Sequence, residues 1–179
     1  MFQFDSHSDT WDTYFGGFKY THGTPFRRAI EEGLIDPKKY VILGLRGGLY
    51  DPDDLKWAID QGITIISTDK FYEIGMKETI KIIKDILGDT STYFTFDIDG
   101  IDPTFAPGTG TPEVGGINVR EAQLIIRHLN SLNFIGADVV EVSPPFDVNN
   151  MTSLVGATIA FEILCTMTVS YTHLRAHET

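Results

Sequence analysis

The amino-acid sequence predicts one α/β domain: a three-layer fold in which a parallel sheet carries helices on both faces. Three observations lead there. Short apolar runs alternate with segments of helical pattern, as strands alternate with crossover helices in such sheets. The acidic motifs each directly follow an apolar run, and open α/β sheets bind ligands at the carboxyl ends of their strands. With 179 residues, 42% of them hydrophobic, the chain is long enough for one substantial core and too short to suggest two. No internal repeat or linker interrupts it.

Met1 to Phe4 reads as a strand running straight into Asp5. Thr24 supplies an N-cap and Pro25 a first-turn proline for a helix over Phe26 to Glu32, which Gly33 stops. Tyr40 to Leu45 is a second strand. Asp51-Pro52 opens a helix that stops near Gly62, and Ile63 to Ser67 is a third strand. Met76 to Leu87 reads as a helix closed by Gly88, and Ser91 to Phe96 as a fourth strand ending at Asp97. A loop rich in proline and glycine follows, from Pro103 to Gly116. Asn118 and Glu121 form a capping-box pattern for a helix through Leu129. Phe134 to Val142 is a fifth strand, and Met151 to Met167 an apolar helix expected to be buried. The domain is therefore expected to span residues 1–167. The remainder, 168–179 (TVSYTHLRAHET), is polar and without amphipathic pattern; it reads as foreign, adapter-like material and is set aside.

The formal net charge of -11 argues against nucleic acid or an acidic membrane as partner, because phosphate contacts need clustered Lys and Arg. It suits a metal cation or a small cationic molecule. Cys165 is the only cysteine, which excludes an intrachain disulfide and points to a reducing compartment. No apolar run is read as reaching the ~20 residues that span a bilayer, and the N-terminus lacks a signal-peptide pattern. The expectation is a soluble, cytoplasmic protein.

Two clusters carry the chemistry. Asp5, His7 and Asp9 stand at alternate positions, so in an extended segment their side chains converge. Carboxylate plus imidazole suits manganese, zinc or iron better than calcium; the plain alternative is a solvated strand-to-loop transition. The second cluster, Asp97, Asp99 and Asp102, follows the apolar run Tyr93-Phe-Thr-Phe96. Carboxylates at the end of a buried strand repel unless a cation joins them. A calcium loop of EF-hand type fails on spacing: Ile101 holds a position that needs an acid, and Asp102 one that needs glycine. Two divalent ions would offset the charge of Asp5, Asp9, Asp97 and Asp99, and metals lower the pKa of water from ~15.7 toward ~7. That nucleophile suits an electrophile as poor as a guanidinium carbon. His22 is a candidate proton donor to a leaving amine, against the reading of a structural loop histidine. Glu141 is expected to be buried near a strand end and to pair bidentately with a guanidinium. The bland alternative for Glu141 is a salt bridge to one of the protein's own arginines.

FDSHSDTWD, the run Tyr20-Thr-His-Gly-Thr-Pro-Phe-Arg-Arg28, FDIDGIDPTFAPGTGTPEVGG and DVVEVSPPFD together resemble the ureohydrolases: arginase, agmatinase and guanidinobutyrase. The resemblance covers nearly all of residues 2 to 166, in order. It implies an arginase-like fold and a two-manganese site. Asp5 and Asp97 would bridge both ions, Asp9 would complete one, and His7 with Asp99 the other; a metal-bridging hydroxide would attack the substrate. His22 would shuttle the proton, Glu141 would hold the guanidinium, and Thr111 would line the substrate pocket. Thr10-Trp11-Asp12 looks like agmatinase, because arginases carry an asparagine at the position of Trp11 for the substrate's α-carboxylate. The implied reaction is hydrolysis of agmatine to putrescine and urea, a step of polyamine biosynthesis, by a homo-oligomer.

The family also has a ligand histidine in a Gly-Gly-Asp-His-Ser segment ahead of the first aspartate cluster, and this chain begins after that point. The expectation is a fragment of a longer ureohydrolase, with one metal short of a ligand and the first strands of the sheet missing. The alternatives are guanidinobutyrase or arginase activity, an inactive metal-binding chain, and a mononuclear amidohydrolase resembling the deacetylases.

Overall fold

Five short runs of aromatic and β-branched residues pair into one all-parallel sheet in a computed structural model that describes residues 1–176, with side chains described through Thr168. The strands are β1 (Phe2–Phe4), β2 (Val41–Leu45), β3 (Thr64–Ser67), β4 (Thr92–Asp97) and β5 (Phe134–Val140), in the order β3-β2-β1-β4-β5. β1 is central, with Phe2 opposite both Val41 and Phe94.

The period of two along each strand creates the three layers. Phe2, Phe4, Val41, Leu43, Phe94 and Phe96 point to one face. There they pack with Ile83 and Leu87 of α3 (Thr68–Leu87), Ile125 and Ile126 of α4 (Val119–His128), and Ile159 and Ile163 of α5 (Met151–Ala176). Met1, Tyr40 and Ile42 point the other way, toward Phe26 and Ile30 of α1 (Pro25–Glu31) and Ala58 of α2 (Lys56–Gln61). Phe4 stacks on Phe96 at 4.4 Å between ring centroids, and truncating such a ring to alanine costs about 3–5 kcal/mol.

The predicted order of elements holds, and the departures have local causes. α2 begins at Lys56 rather than at Asp51-Pro52, because the Asp54 carboxylate accepts from the backbone N–H of Tyr50 and Asp51 and holds a turn there. α3 begins at Thr68, directly after β3, with Ser67 as N-cap. The sequence suggested only its second half, because Gly75 sits inside it at φ 79° and breaks the helical path. Thr24 precedes α1 but makes no side-chain cap; its hydroxyl donates to the carbonyls of Lys19 and Thr21 instead. The capping box of Asn118 and Glu121 on α4 is present in both directions.

α5 runs past the expected end at Met167. Residues 177–179 of the suspected foreign tail, and all side chains from position 169, lie outside the described residues. The stretch Val148–Thr168 also reaches the length and composition of a membrane span, at a mean hydropathy of 1.4, which corrects the expectation that no run did. In the fold this stretch packs on β5 and α4, where Glu162 pairs with Arg127 of α4.

Candidate active site

β1 and β4 are neighbours with Phe4 opposite Phe96, so Asp5 and Asp97 leave the sheet side by side at its carboxyl edge. His7 and Asp9 join them through a turn, not through the strand alternation expected from sequence. β1 ends at Phe4, the backbone N–H of His7 donates to Asp5 Oδ1 at 2.6 Å, and Asp9 takes φ 50° in the left-handed region. On β4, Asp97 Oδ1 accepts from the backbone N–H of Asp99 at 2.8 Å, curling the chain so that Asp99 faces His7. Two glycines permit the approach: a Cβ on Gly47 would meet the His7 ring at 2.5 Å, and one on Gly100 the Phe4 ring at 2.5 Å.

Asp5, His7 and Asp99 offer one ligand atom each within 4.8 Å of one another. His7, Asp9, His22, Asp97, Asp99, Thr111 and Glu141 line one cavity of about 610 Å³. Asp5 lies in the floor, 2% exposed. The residues singled out from sequence therefore meet at one place. Glu141 departs from expectation: β5 stops at Val140, and Glu141 is exposed at φ 62° rather than buried in a strand. Among the described residues the arginine ion pairs join Arg27 and Arg28 to Asp12 and Glu31, and Arg127 to Glu162, and none involves Glu141. His22 sits in the loop before α1, exposed, with its ring edge-on to Tyr14 and Phe15.

The floor is electrostatically loaded. Burial, and then the charges of Asp97, Asp9 and Asp99, push the Asp5 carboxyl well above the usual carboxylate range. Burial and Asp99 do the same to Asp97. Asp9 is pushed up to about 7, by burial first and then by Asp99 and Glu141, with His7 opposing. Burial also acts against ionised Asp99, yet hydrogen bonds from His7 and Ser6 outweigh it and hold this carboxyl below the usual range. His7 answers in kind: burial works against its charge, and Asp99, 3.0 Å from Nδ1, raises it. Carboxyls driven upward by burial and by one another mark a site that favours added positive charge. An oxygen-rich set with one imidazole fits a divalent ion of the manganese, zinc or iron kind.

Ser6, Arg46, Glu113, Tyr14 and Tyr50 belong to the site without having been suggested by the sequence, and they act beside Thr111 and Trp11, which were. Ser6 donates to Asp99 Oδ1 through its backbone N–H (3.1 Å) and its hydroxyl (2.7 Å), and Thr111 Oγ1 donates to Oδ2 at 3.2 Å. Arg46 donates to the carbonyls of Gly44, Asp99, Gly100 and Glu113, tying the end of β2 to both loops of the site. Glu113 stands 3.7 Å from His7 Nε2; its place in the Thr-Pro-Glu of the long loop was the one available signal. Trp11, Tyr14 and Tyr50 cluster at the mouth, where the two tyrosine hydroxyls meet at 3.2 Å.

The sequence model of the arginase family matches residues 1–166. The guanidinopropionase of Pseudomonas aeruginosa is 54% identical over 170 residues, covering 95% of this chain and 54% of that protein. The mitochondrial agmatinase of Gallus gallus is 42% identical over 163 residues, or 91% of this chain and 48% of the relative. Among solved structures, the proclavaminate amidino hydrolase of Streptomyces clavuligerus superposes with a TM-score of 0.87 at 40% identity, covering 94% of this chain and 55% of that one. The chain spans about half the length of the curated relatives it matches.

Proposed function

The chain belongs to the arginase family, the ureohydrolases, and we propose that its cleft serves the hydrolysis of a guanidino compound to urea and an amine, agmatine to putrescine leading. The observation that supports this reading is the meeting of Asp5, His7, Asp9, Asp97 and Asp99 beneath a cavity that Glu141, Thr111 and His22 also line. We assign the five to two divalent ions, with manganese expected. Asp5 and Asp97 would be common to both ions, Asp9 would help hold one, and His7 with Asp99 the other. Such ions, when bound, supply Lewis acidity and lower the pKa of water toward ~7.

The chain's own groups do the rest. Glu141 presents its carboxylate to the substrate guanidinium, where a planar cation accepts bidentate pairing. Thr111, with its hydroxyl on Asp99, holds the loop that forms one wall. Water adds oxygen to the guanidinium carbon, the bond from carbon to the alkylated nitrogen breaks, and His22 delivers a proton to that nitrogen. The products balance as urea and an alkylammonium ion. The residues lining the cavity include carboxylates and the aromatic rings of Trp11, Tyr14 and Tyr50, with no lysine or arginine among those described. That lining favours a substrate whose far end is cationic, as in agmatine. A second reading, an acid-ended guanidine, is supported by the higher identity to guanidinopropionase than to agmatinase. Assembly as a homo-oligomer and a cytoplasmic location are part of the same proposal, by analogy with the family.

The test is urea release by the manganese-loaded protein from agmatine, arginine, 4-guanidinobutyrate and 3-guanidinopropionate in parallel. Urea from agmatine above the others is the expected result. Urea chiefly from guanidinopropionate replaces the substrate and keeps the reaction. Folded, metal-loaded protein that releases urea from none of them overturns the proposal.

A further inference from the structure

Gln3 is a polar residue in the middle of a strand whose neighbours, Phe2 and Phe4, are core residues, and it is fully buried. A buried side-chain amide is unfavourable unless its groups find partners. All of them do, and the partners form a line. The hydroxyl of Tyr40, a fully buried residue directly ahead of β2, donates to Gln3 Oε1. The Gln3 amide nitrogen in turn donates to Asp5 Oδ2 at 2.7 Å and to the His7 carbonyl at 3.3 Å. The His7 carbonyl and an ionised Asp5 carboxylate can only accept, so the amide nitrogen faces them and the amide oxygen is left to the phenol, which anchors it. With His7 N–H on Oδ1, each oxygen of the Asp5 carboxylate has one fixed donor, and both donors are neutral.

We propose that Gln3 and Tyr40 are positioning residues for the acid cluster: Tyr40 sets the Gln3 amide, and the amide holds the Asp5 carboxylate in one orientation for divalent-cation binding. This rests on the reading of Asp5 as a metal ligand. The chemistry suits the task. An amide donor favours the ionised carboxylate without adding a positive charge that competes with a cation, and it leaves further lone pairs on both oxygens free to coordinate. An arginine or lysine in its place would neutralise the ligand. An apolar residue would leave Asp5 free to turn. The line also reaches from the α1/α2 face of the sheet to the site, which explains why a tyrosine is placed in a core cluster that is otherwise apolar.

The test uses the full chain in three variants: Tyr40→Phe, which removes one buried oxygen and keeps the ring; Gln3→Leu; and Asp5→Asn as the ligand control. Manganese affinity and stoichiometry are measured by titration with electron paramagnetic resonance, alongside melting curves of the metal-free proteins. Partners of metal ligands typically contribute 10–100-fold in affinity. The expected result is manganese binding weakened about 10-fold or more in both Gln3→Leu and Tyr40→Phe, at temperatures where each is folded. If Asp5→Asn loses manganese while Tyr40→Phe binds it as the parent chain does, the positioning role is wrong and the ligand reading survives. If Asp5→Asn binds as the parent does, the ligand reading itself is wrong and this inference goes with it. Should Gln3→Leu fail to fold, Tyr40→Phe alone decides.

Discussion

The floor and the mouth of the cleft are built by opposite means. In the floor, Asp5, Asp97 and Asp99 are buried and each is held by hydrogen bonds from residues at the strand ends. At the mouth, His22, Thr111 and Glu141 are exposed on loops, and aromatic contacts replace the hydrogen-bond lattice. The difference teaches where each property of the protein resides. Charge accumulated in the floor weakens the fold unless cations offset it, whereas the mouth can change its chemistry without touching the core. Loops carried on a rigid sheet are where recognition is free to vary.

The sharpest way to break that contrast is to remove metal. Chelation is expected to abolish urea release, and to leave a fold whose stability falls as pH rises. The sign follows from the raised carboxyls: Asp5, Asp97 and Asp9, the last at about 7, bind protons more tightly folded than unfolded. Their favourable contribution is present below the unfolded value near ~3.9 and is lost as pH climbs through the folded values. His7, also raised, acts in the same direction. Melting curves of metal-free protein between pH 4 and pH 8, on the order of one unit apart, should descend, and added manganese should restore the upper end. A flat profile would show that the floor carries no such strain.

Next in size is His22→Asn. General acid catalysis contributes about 100- to 10,000-fold, so turnover should fall within that range. The melting temperature should hold, since an exposed loop residue contributes within about 0.5 kcal/mol. Turnover within a factor of a few of the parent would move the proton to another donor. The smallest of the three is Glu141→Gln, which keeps shape and removes charge. A hydrogen bond to a charged group contributes about 1.5–3 kcal/mol, or roughly 10- to 100-fold in kcat/KM. Manganese affinity should be unchanged. A loss of metal instead of a loss of kcat/KM would place Glu141 with the floor rather than the mouth.

The same contrast separates what the sequence disclosed from what it withheld. Asp5-x-His7-x-Asp9 and Asp97-x-Asp99 were legible because ligands a few residues apart leave a compact written pattern. The sheet was legible because its buried strands are short continuous apolar runs. Gln3, Tyr40 and Arg46 were not, because each acts through a neighbour brought close only by pairing: Gln3 on β1 and Tyr40, the residue ahead of β2, meet across 37 positions of sequence. Glu141 was legible by type and not by setting. Its positive φ ends β5 early, and nothing in Val-Val-Glu-Val-Ser announces that a glutamate will adopt it. Gly75 misled in the opposite way, since it breaks the backbone geometry of α3 without ending the element.

The pairing of β1 with β4 joins residue 2 to residue 94, across about half of the 179-residue chain. Contacts so distant in sequence cost loop-closure entropy before they return any stabilisation, and parallel sheets made this way assemble slowly. Until that pairing forms, Asp5 and Asp97 belong to separate pieces of polypeptide. A cation held by both acids would act as a clasp on the strand pairing most distant in sequence within the sheet, adding its binding free energy to that contact.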